Sequence, residues 1–345
     1  MPSGCWRAAP TADRTAPASA IAIAIAIAIT SAAPAPAPAP APMTWPAALR
    51  LSPRWTPYVL ISPFLVLFAV FGVFPLLFSL WLAFQTWEPT AGLAAMQFVG
   101  LENFVFALQD EWFWKSLGNT AWLAVVSGVP QHLVAIPLAV FIHNAFKRLR
   151  NGVVGAYFLP YITSTVAIAI MFSALFSTDY GLINLALQRV FGAEAVDWLG
   201  RAENIKPAIA MIVFWRYLGF NVVLYLAALQ TIPKDLYEAA TMDGASRLQQ
   251  FFHITLPSLK PMVYFGVTLS VIGGLQLFEE AFILTGGRGG SDQAGMTTAM
   301  YLYRMAFDFN DFGAASAMSW LLFAVVVLLT WLTNRAFKPR QGAGA

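Results

Sequence analysis

The sequence predicts an all-α integral membrane protein, a bundle of six transmembrane helices. Of its 345 residues, 59% are hydrophobic and only 11% are charged, whereas soluble domains carry about 25% charged residues. A membrane helix needs about 20 mainly apolar residues, and six stretches qualify. They span residues 58–84, 117–143, 153–176, 207–230, 262–285 and 314–334. The transmembrane domain is therefore expected to cover residues 57–338, with a C-terminal tail at 339–345.

Residues 1–56 precede this domain and are dominated by an Ile-Ala repeat followed by an Ala-Pro repeat. Such Ala-Pro runs favour extended chain and no packed core, so this segment is expected to be disordered. Translation could also start at Met43. Two alternatives stay open, because Arg7 and Arg14 before the apolar run are typical of a cleaved secretory signal, and the run itself could form an additional span.

Proline and small residues recur within the predicted spans. Proline is tolerated in a membrane helix where neighbours or water satisfy the freed carbonyls, so kinked helices are expected. The prolines are Pro63, Pro75, Pro130, Pro137 and Pro160. Small residues allow helices to approach closely. Those expected to do so are Gly128, Ala135, Gly266, Gly273 and Gly274.

The Lys and Arg residues of the connecting segments predict the orientation, because cytoplasmic segments carry an excess of them. One side has thirteen: Arg7, Arg14, Arg50, Arg54, Lys147, Arg148, Arg150, Lys234, Arg247, Lys260, Arg335, Lys338 and Arg340. The other side has six: Lys115, Arg189, Arg201, Lys206, Arg288 and Arg304. Both termini and the segment 231–261 are therefore expected to be cytoplasmic, and without Arg7 and Arg14 the counts are still eleven against six.

The segment 231–261 is the long polar interruption in the second half of the chain. Pro233 suits the first turn of a short helix, because its missing N–H would be unpaired there. The Asp-Gly pair at 243–244 is typical of a turn, since Gly adopts positive φ without strain. Ser246 can cap a second short helix, which Pro257 would end or bend. The segment is thus predicted to fold as helix, turn, helix.

Two helices of about ten residues are marginal in water and need a surface to pack against. Lys234, Asp235 and Glu238 are polar. The apolar residues are Leu236, Ala239, Ala240, Leu248, Phe251, Phe252 and Ile254. This mixture indicates a wedge that packs partly on its own protein and partly on a partner.

The residues Glu238-Ala239-Ala240, then Gly244 after three residues and Ile254-Thr255-Leu256-Pro257 after nine more, form a pattern. It resembles the EAA loop of the membrane-spanning permease subunits of ATP-binding-cassette importers. The resemblance implies that the first short helix is a coupling helix seated in a groove of a separate ATPase subunit. The coupling residues it implies are Pro233, Glu238, Ala239, Ala240, Asp243, Gly244, Ile254, Leu256 and Pro257. An amphipathic hairpin lying on the membrane is the alternative.

Shorter segments resemble sugar-type importer permeases, so that the likeness covers about residues 58–337. They are FVGLENF, DYGLIN, WRYLGFNVVLYLAALQ and LTGG. The resemblance implies a subunit in the cell membrane that forms half of a pathway for a carbohydrate or related solute. It also implies a second similar permease, two cytoplasmic ATPase subunits that bind ATP and Mg, and an external solute-binding protein. Sugar, oligosaccharide, polyol and glycerol phosphate all fit, and the permease pair could be a homodimer or a heterodimer.

The sequence offers no catalytic machinery. It contains no Gly-Lys pair and so lacks the phosphate-binding P-loop. Cys5 is the single cysteine, and His132, His143 and His253 have no metal-ligand spacing. The formal net charge of +3 gives no support to nucleic-acid binding. We therefore expect a transport subunit without cofactor, metal or enzymatic activity, and the alternative is a secondary transporter or channel that needs no ATPase.

Three charged residues fall within predicted spans: Arg216, Glu279 and Glu280. A charge at a helix centre costs ~2.5–3.5 kcal/mol on insertion scales, so each should face the bundle interior or a watery cavity. Two roles stay open for these residues: an ion pair between Arg216 and one glutamate, or direct binding of a sugar. Sugars are recognised by amide and acid side chains and aromatic faces. The candidate path residues are Trp215, Arg216, Tyr217, Asn221, Gln276, Glu279 and Glu280.

Overall fold

A computed structural model describes residues 52, 54–145 and 150–337. Residues 1–42, Met43 and the basic residues Arg50, Lys147, Arg148, Lys338 and Arg340 lie outside these ranges, so the predictions made for them stay predictions. The chain forms two compact units, Met1–Leu67 and Phe68–Ala345. The described part of the first unit is mainly helix α1 (Thr56–Phe68), and the architecture below concerns the second unit.

Within the described part of the chain, five helices are long and apolar enough to cross a membrane. They are Thr56–Leu82, Glu111–Ala145, Ala202–Leu229, Arg247–Leu275 and Phe312–Phe337. A bent pair, Gly152–Ile162 and Thr165–Leu175, makes a sixth if it crosses as one span. The chain is therefore mostly helical with five or six candidate spans, and the count of six and the orientation stay predictions.

Two π turns accommodate prolines inside long helices. One turn, Ala69–Val73, joins α1 to α2 (Phe74–Leu82) just before Pro75. The carbonyl four residues before a proline loses its helical partner. For Pro75, that carbonyl belongs to a residue of the π turn Ala69–Val73. For Pro257, it belongs to a residue of the second π turn, Phe251–Thr255. The irregular turn lets the helix continue past the proline.

The third predicted span, residues 153–176, is not one straight helix. Helix α4 (Glu111–Ala145) precedes it and runs through Pro130 and Pro137 without a break. Helices α5 (Arg150–Ile162) and α6 (Thr165–Leu175) then meet at 92°. Ser164, between them, has an extended ψ of 127°, so the helical hydrogen-bond ladder stops there.

The fifth predicted span, residues 262–285, is wrong at both ends. The second short helix of the polar segment, α10 (Arg247–Gln250), continues through the π turn into α11 (Leu256–Leu275) as one 29-residue helix. Pro257 therefore does not end it. The helix stops at Leu275, and Glu279 begins a separate short helix, α12 (Glu279–Leu284).

Helices α4, α8 (Ala202–Leu229) and α11 pack against one another at the centre of the unit. α5 packs on α8, and the last helix, α14 (Phe312–Phe337), packs on α11. One buried apolar cluster includes Phe113, Leu123, Phe172, Ile209, Ile212 and Met318. A second includes Ala135, Ile142, Val222, Tyr225, Leu229 and Leu259.

Close helix contacts were predicted at several glycines, and the structure has them at some of these positions but not at others. A Cβ at Gly274 would lie 2.8 Å from the Ala124 side chain, and one at Gly266 would lie 2.9 Å from the Tyr225 hydroxyl. Gly128 and Gly273 are different, because a Cβ at either would meet nothing within 4 Å. These two positions line open space instead of a helix contact.

A two-residue antiparallel ladder, β1 (Gln85–Thr86) with β2 (Gln97–Phe98), departs from the all-α prediction. The Asn103 amide, on helix α3 (Glu102–Gln109), donates to the Gln85 carbonyl at 2.8 Å and to the Ala83 carbonyl at 3.1 Å. Gly313 on α14 leaves room for the same Gln85 carbonyl, which a Cβ would approach to 2.1 Å. These contacts fix the connection between α2 and α3.

The aromatic run Trp112-Phe113-Trp114 opens α4 and is divided between surface and core. Trp112 and Trp114 are exposed, but Phe113 is buried in the core. Asp110, just before α4, accepts a hydrogen bond from the hydroxyl of Tyr301 on helix α13 (Thr298–Phe307). Burial and this bond raise the pKa of Tyr301. The start of α4 is thus attached to a distant part of the chain.

The glycine-rich segment after α12 is held against α4 by polar contacts. The Asn119 amide donates to the Met296 carbonyl at 3.1 Å, and the Thr120 hydroxyl accepts from the Thr298 amide at 2.8 Å. Lys115 lies 3.4 Å from the Asp292 carboxylate.

The connection between α6 and α8 contains helix α7 (Leu182–Phe191), which was not predicted.

Gly219 is the point where α8 comes closest to α5, because a Cβ there would lie 1.6 Å from the Tyr157 carbonyl oxygen. Gly219→Ala should therefore lower the free energy of unfolding by about 1–3 kcal/mol through overpacking. Gly118→Ala, where a Cβ on α4 meets open space, is the control, and it should be neutral or gain up to about 1 kcal/mol of helix stability. Thermal unfolding in detergent measures both, and equal midpoints would contradict this account of the packing.

Candidate functional site

The polar segment forms a hairpin of helix α9 (Lys234–Met242) against the start of the long helix at Arg247. Pro233 is the N-cap of α9 and lies directly before the first turn of that helix, not within it. Gly244 has φ +78°, the left-handed conformation that glycine adopts without strain. Ser246 caps the following helix in a reciprocal capping box with Gln249, which satisfies backbone N–H groups at that end.

Side-chain hydrogen bonds hold the two arms of the hairpin together. The Tyr237 and Thr255 hydroxyls are 3.0 Å apart, and the Gln250 amide donates to the Thr241 hydroxyl at 3.0 Å. The arms enclose a groove with a volume of about 380 Å³. It is lined by Ala240, Asp243, Gly244, Gln249, His253 and Ile254, among others. Four of the nine residues implied by the EAA resemblance, Ala240, Asp243, Gly244 and Ile254, are thereby brought into one small region.

No residue of α9 is buried within the chain. Leu236 is 48% exposed and Met242 is 88% exposed, and on the other arm Leu248 and Phe252 are also exposed. Exposed apolar side chains rimmed by polar ones are typical of a surface that binds a partner. The hairpin therefore presents the mixed wedge that its sequence predicts.

A second site is a cavity of about 310 Å³ between α4, α5, α8 and α11. Its polar lining consists of Ser127, Gln131, Tyr161, Tyr217, Asn221 and Ser270. Its apolar lining includes Phe220, Leu269 and Leu277, and Gly128 and Gly273 leave it room. A mostly apolar pocket with a few placed polar groups is the usual form of a small-molecule site.

Two amide side chains define the polar wall of this cavity. The Gln131 Nε2 donates to the Val213 carbonyl at 3.2 Å, and the Asn221 Nδ2 donates to the Gln131 Oε1 at 3.1 Å. Asn221 is buried, and its Oδ1 has no hydrogen-bond partner within the described residues. A buried polar atom without a partner costs ~1–3 kcal/mol. This oxygen is thus a buried acceptor that no described residue satisfies.

A hydrogen-bonded triad closes one end of the cavity. The His132 Nδ1 lies 2.6 Å from the Tyr225 hydroxyl, and its Nε2 lies 3.0 Å from the Ser270 hydroxyl. The triad joins α4, α8 and α11, and Ser270 also lines the cavity. His132 therefore satisfies neighbouring polar groups inside the bundle.

Arg216 and Glu280 form the ion pair that the sequence suggested. The Arg216 Nη1 lies 2.6 Å from the Glu280 Oε1, and both side chains are largely buried. The predicted span 262–285 placed both glutamates on one long helix, but the helix Arg247–Leu275 ends before them. They lie in the first turn of α12, where the helix end favours carboxylates. Glu279 is exposed while Glu280 is buried, so the two have different surroundings.

The remaining residues predicted to line the substrate path lie in different parts of the structure. Tyr217 and Asn221 line the cavity. Trp215 packs against Phe172 at 5.3 Å between ring centres and does not line it. Gln276 is exposed at the break between α11 and α12. The seven residues therefore do not form one cluster, and their part in transport stays a prediction.

Several cavity residues were not predicted from the sequence. Ser127 and Gln131 lie four residues apart on an apolar helix, which places them on one face. That spacing of polar side chains was a usable signal. Tyr161 and Phe220, whose rings stack at 4.8 Å, carried no such signal.

The apolar helices, the exposed hairpin and the internal cavity define a multi-pass transport component of the membrane. The family described as binding-protein-dependent transport system inner membrane component matches residues 135–342. The chain belongs to this family, which confirms the resemblance read from the EAA segment and places the protein in the cell membrane. The family consists of transport components and not of catalysts.

Named relatives match along most of the chain. The arabinooligosaccharides transport system permease protein AraP of Halalkalibacterium halodurans is 37% identical over 293 residues, which cover 83% of this chain and 90% of that protein. The AraP of Bacillus subtilis strain 168 is 31% identical over 300 residues, or 85% and 92%. The lactose transport system permease protein LacF of Rhizobium radiobacter is 34% identical over 286 residues, or 82% and 94%.

Solved structures share the fold. A chain of a bacterial alginate ABC transporter, in complex with an alginate pentasaccharide-bound periplasmic protein, aligns with a TM-score of 0.71 and 25% identity. The alignment covers 84% of this chain and 96% of that one. A second structure of a bacterial ABC transporter that imports alginate aligns with a TM-score of 0.72 at 24% identity, with the same coverage.

Tyr225→Phe would leave the His132 Nδ1 without its partner in apolar surroundings. The free energy of unfolding should fall by about 1–3 kcal/mol, the usual cost of a buried polar group left unpaired. Thermal unfolding of the purified protein in detergent provides the measurement. Tyr157→Phe, at a partly exposed tyrosine, is the control and should change little. A Tyr225→Phe midpoint equal to that of the control would show that the triad adds no stability.

Proposed function

We propose that this chain is a permease subunit of an ATP-driven sugar importer, coupled to a separate ATPase subunit through its α9 hairpin. The exposed hairpin with its EAA pattern carries this proposal. Four of its apolar side chains are exposed: Leu236, Met242, Leu248 and Phe252. A chain that worked alone would have no use for such a surface at a segment connecting two spans. The arabinooligosaccharide and lactose permeases among its relatives support a sugar as the solute.

The proposed assembly has two permeases, two cytoplasmic ATPase subunits and an external binding protein. The alginate transporter, whose structure includes a periplasmic binding protein, supports the last of these partners. ATP and Mg would bind to the ATPase subunits. The hairpin would lie in the cytoplasm, as the charge count predicts, and Asp235 near the start of α9 would add to its polar rim.

The coupling would be mechanical. The second arm of the hairpin is continuous with α11 through the π turn, and together they form one helix from Arg247 to Leu275. A displacement of the seated α9 can therefore be transmitted along a rigid helix to Ser270, Gly273 and Gly274 at the cavity wall. Transmission requires that the hairpin bind two ATPase states with different free energies. Opening and closing of the cavity would follow from that difference.

The sugar path would pass through the cavity between α4, α5, α8 and α11. Tyr217 and Asn221 would contact the sugar there, together with Gln131, Ser127 and Ser270. Tyrosine faces and amide groups are suited to sugar rings and hydroxyls. Gln276 and Glu279, exposed at the helix break, would face the shared pathway or the second permease, because a charge facing lipid is costly.

Reconstitution tests the proposal. Proteoliposomes that contain this chain, its partner permease, the ATPase and the binding protein should accumulate sugar only when ATP is supplied to the ATPase side. Uptake driven by an ion gradient without the ATPase would instead favour a secondary transporter. A channel would show equilibration without accumulation.

Gly244→Val should uncouple transport, because valine is strained at φ +78° and would distort the turn of the hairpin. We expect sugar uptake to fall at least about tenfold while the assembly stays inserted. Glu238→Lys should act similarly by reversing a charge on the surface that contacts the ATPase. Gly92→Val is a matched control, since Gly92 has φ +83° and equally open surroundings outside the hairpin. Uptake at the wild-type rate in both hairpin variants would remove the coupling role.

The orientation is tested by labelling single cysteines in intact cells after Cys5→Ser. Met242→Cys, at the 88% exposed end of α9, should react with a membrane-impermeant maleimide only after the cells are opened. Phe98→Cys, at a 74% exposed position on β2, should react in intact cells. The reverse pattern would place the hairpin outside and rule out ATPase docking there.

A further inference from the structure

The mostly apolar cavity between α4, α5, α8 and α11 has polar groups on its wall but no charged residue among the described residues that line it. None of the described residues that line it is Asp, Glu, Lys or Arg. Its polar groups are the hydroxyls of serine and tyrosine and the amides of Gln131 and Asn221. Hydroxyls and amides both donate and accept hydrogen bonds, and so they complement the hydroxyls of a sugar.

Two opposite charges are paired next to one residue of the cavity wall, Tyr217. Tyr217 lines the cavity, and its ring centre lies 5.5 Å from the guanidinium carbon of Arg216. The side chain of Tyr217 also interacts with Glu280. Because Arg216 and Glu280 are 2.6 Å apart, each largely cancels the field of the other at the cavity.

An anionic ligand would find no compensation in this cavity. A carboxylate loses hydration on entering an apolar, buried site, and it needs a cation or several hydrogen-bond donors in return. The Arg216 charge is already neutralised by Glu280.

We propose that the cavity accepts an uncharged saccharide unit and excludes uronates, and that the Arg216–Glu280 ion pair sets this selectivity. The inference rests on the proposed importer function and deepens it. Arg216 and Glu280 need not touch the sugar. They act through Tyr217, because their opposite charges give a net charge of zero beside this wall residue. In this way they determine which ligands the cavity accepts.

A cysteine in the cavity reports on binding without relying on the external binding protein. Gly273→Cys in a Cys5→Ser background suits this purpose, because a Cβ at Gly273 meets nothing within 4 Å. The assembled importer in nanodiscs is treated with N-ethylmaleimide. Protection is measured for glucose, galactose, arabinose, lactose, maltose and trehalose, and for glucuronate and galacturonate. Each uronate differs from its parent sugar by one carboxylate.

With the ion pair intact, neutral sugars should slow alkylation, and the matching uronate should need at least about tenfold higher concentration for equal protection. Glu280→Gln leaves the Arg216 charge unbalanced, so the uronate-to-sugar ratio should shift about tenfold toward the uronate. The double variant Arg216→Gln, Glu280→Gln removes both charges and should keep the original selectivity. Glu280→Asp should keep it too, because it retains the charge.

Glu279→Gln is the matched control for the loss of one carboxylate outside the pair, and it should shift the ratio less than Glu280→Gln. The double variant also keeps the test valid if Glu280→Gln fails to fold, since restored neutrality predicts a folded and selective protein. Equal protection by galactose and galacturonate with the ion pair intact would overturn the proposal. An unchanged ratio in Glu280→Gln, or loss of selectivity in the folded double variant, would also overturn it.

Failure of this inference is distinguishable from failure of the proposed function. Uptake of the same sugars is measured in proteoliposomes with the complete importer. ATP-driven uptake without protection of Gly273→Cys by any sugar would reject the cavity as the selective site while the importer function stands. Absence of ATP-driven uptake of every sugar would reject the importer function itself.

Discussion

The bundle depends on satisfying polar side chains among helices that water does not reach. In hydrocarbon, an unpaired polar or charged group costs more than in a soluble core, so such groups must find partners within the protein. Gln131 pairs with Asn221, His132 pairs with Tyr225 and Ser270, and Arg216 pairs with Glu280. These pairs join α4 to α8, both of these to α11, and α8 to α12. The polar contacts thus fix which helices are neighbours and leave the cavity between them.

Irregular backbone occurs inside the first candidate span and also beside the hairpin and the cavity. The long helix Arg247–Leu275 begins directly at the hairpin, and its π turn lets it continue past Pro257. Three residues separate its end at Leu275 from the start of α12, and this break exposes Gln276 and Glu279. The 92° bend between α5 and α6 lies three residues after Tyr161 of the cavity wall. The cavity is therefore bordered by helices that are broken or glycine-rich, and such elements can rearrange more easily than straight ones.

Much of the fold was accessible from hydropathy alone. Long apolar stretches were located to within a few residues at 207–230 and 314–334, where the helices are Ala202–Leu229 and Phe312–Phe337. The α9 helix and the left-handed turn at Gly244 followed from proline and glycine chemistry that is local in sequence. The bend at Ser164 and the end of α11 did not follow, because apolar residues continue beyond each break, at 166–176 and at 281–284. The two-stranded ladder at Gln85 has only two residues in each strand, too few for any periodic signal.

By itself, the sequence determined that this is a helical membrane protein with a polar hairpin, and it suggested that Arg216 would pair with a glutamate. These features depend on composition, local turn chemistry and the cost of an isolated charge in a membrane, all of which act through neighbouring residues or single side chains. Only the tertiary structure decided which glutamate pairs with Arg216, that Gly273 faces open space while Gly274 contacts Ala124, and that Ser127, Gln131 and Asn221 share one cavity. Those outcomes depend on the rotation of each helix about its axis and on its neighbours. Contacts between residues far apart in the chain fix that rotation, and hydropathy carries little information about it.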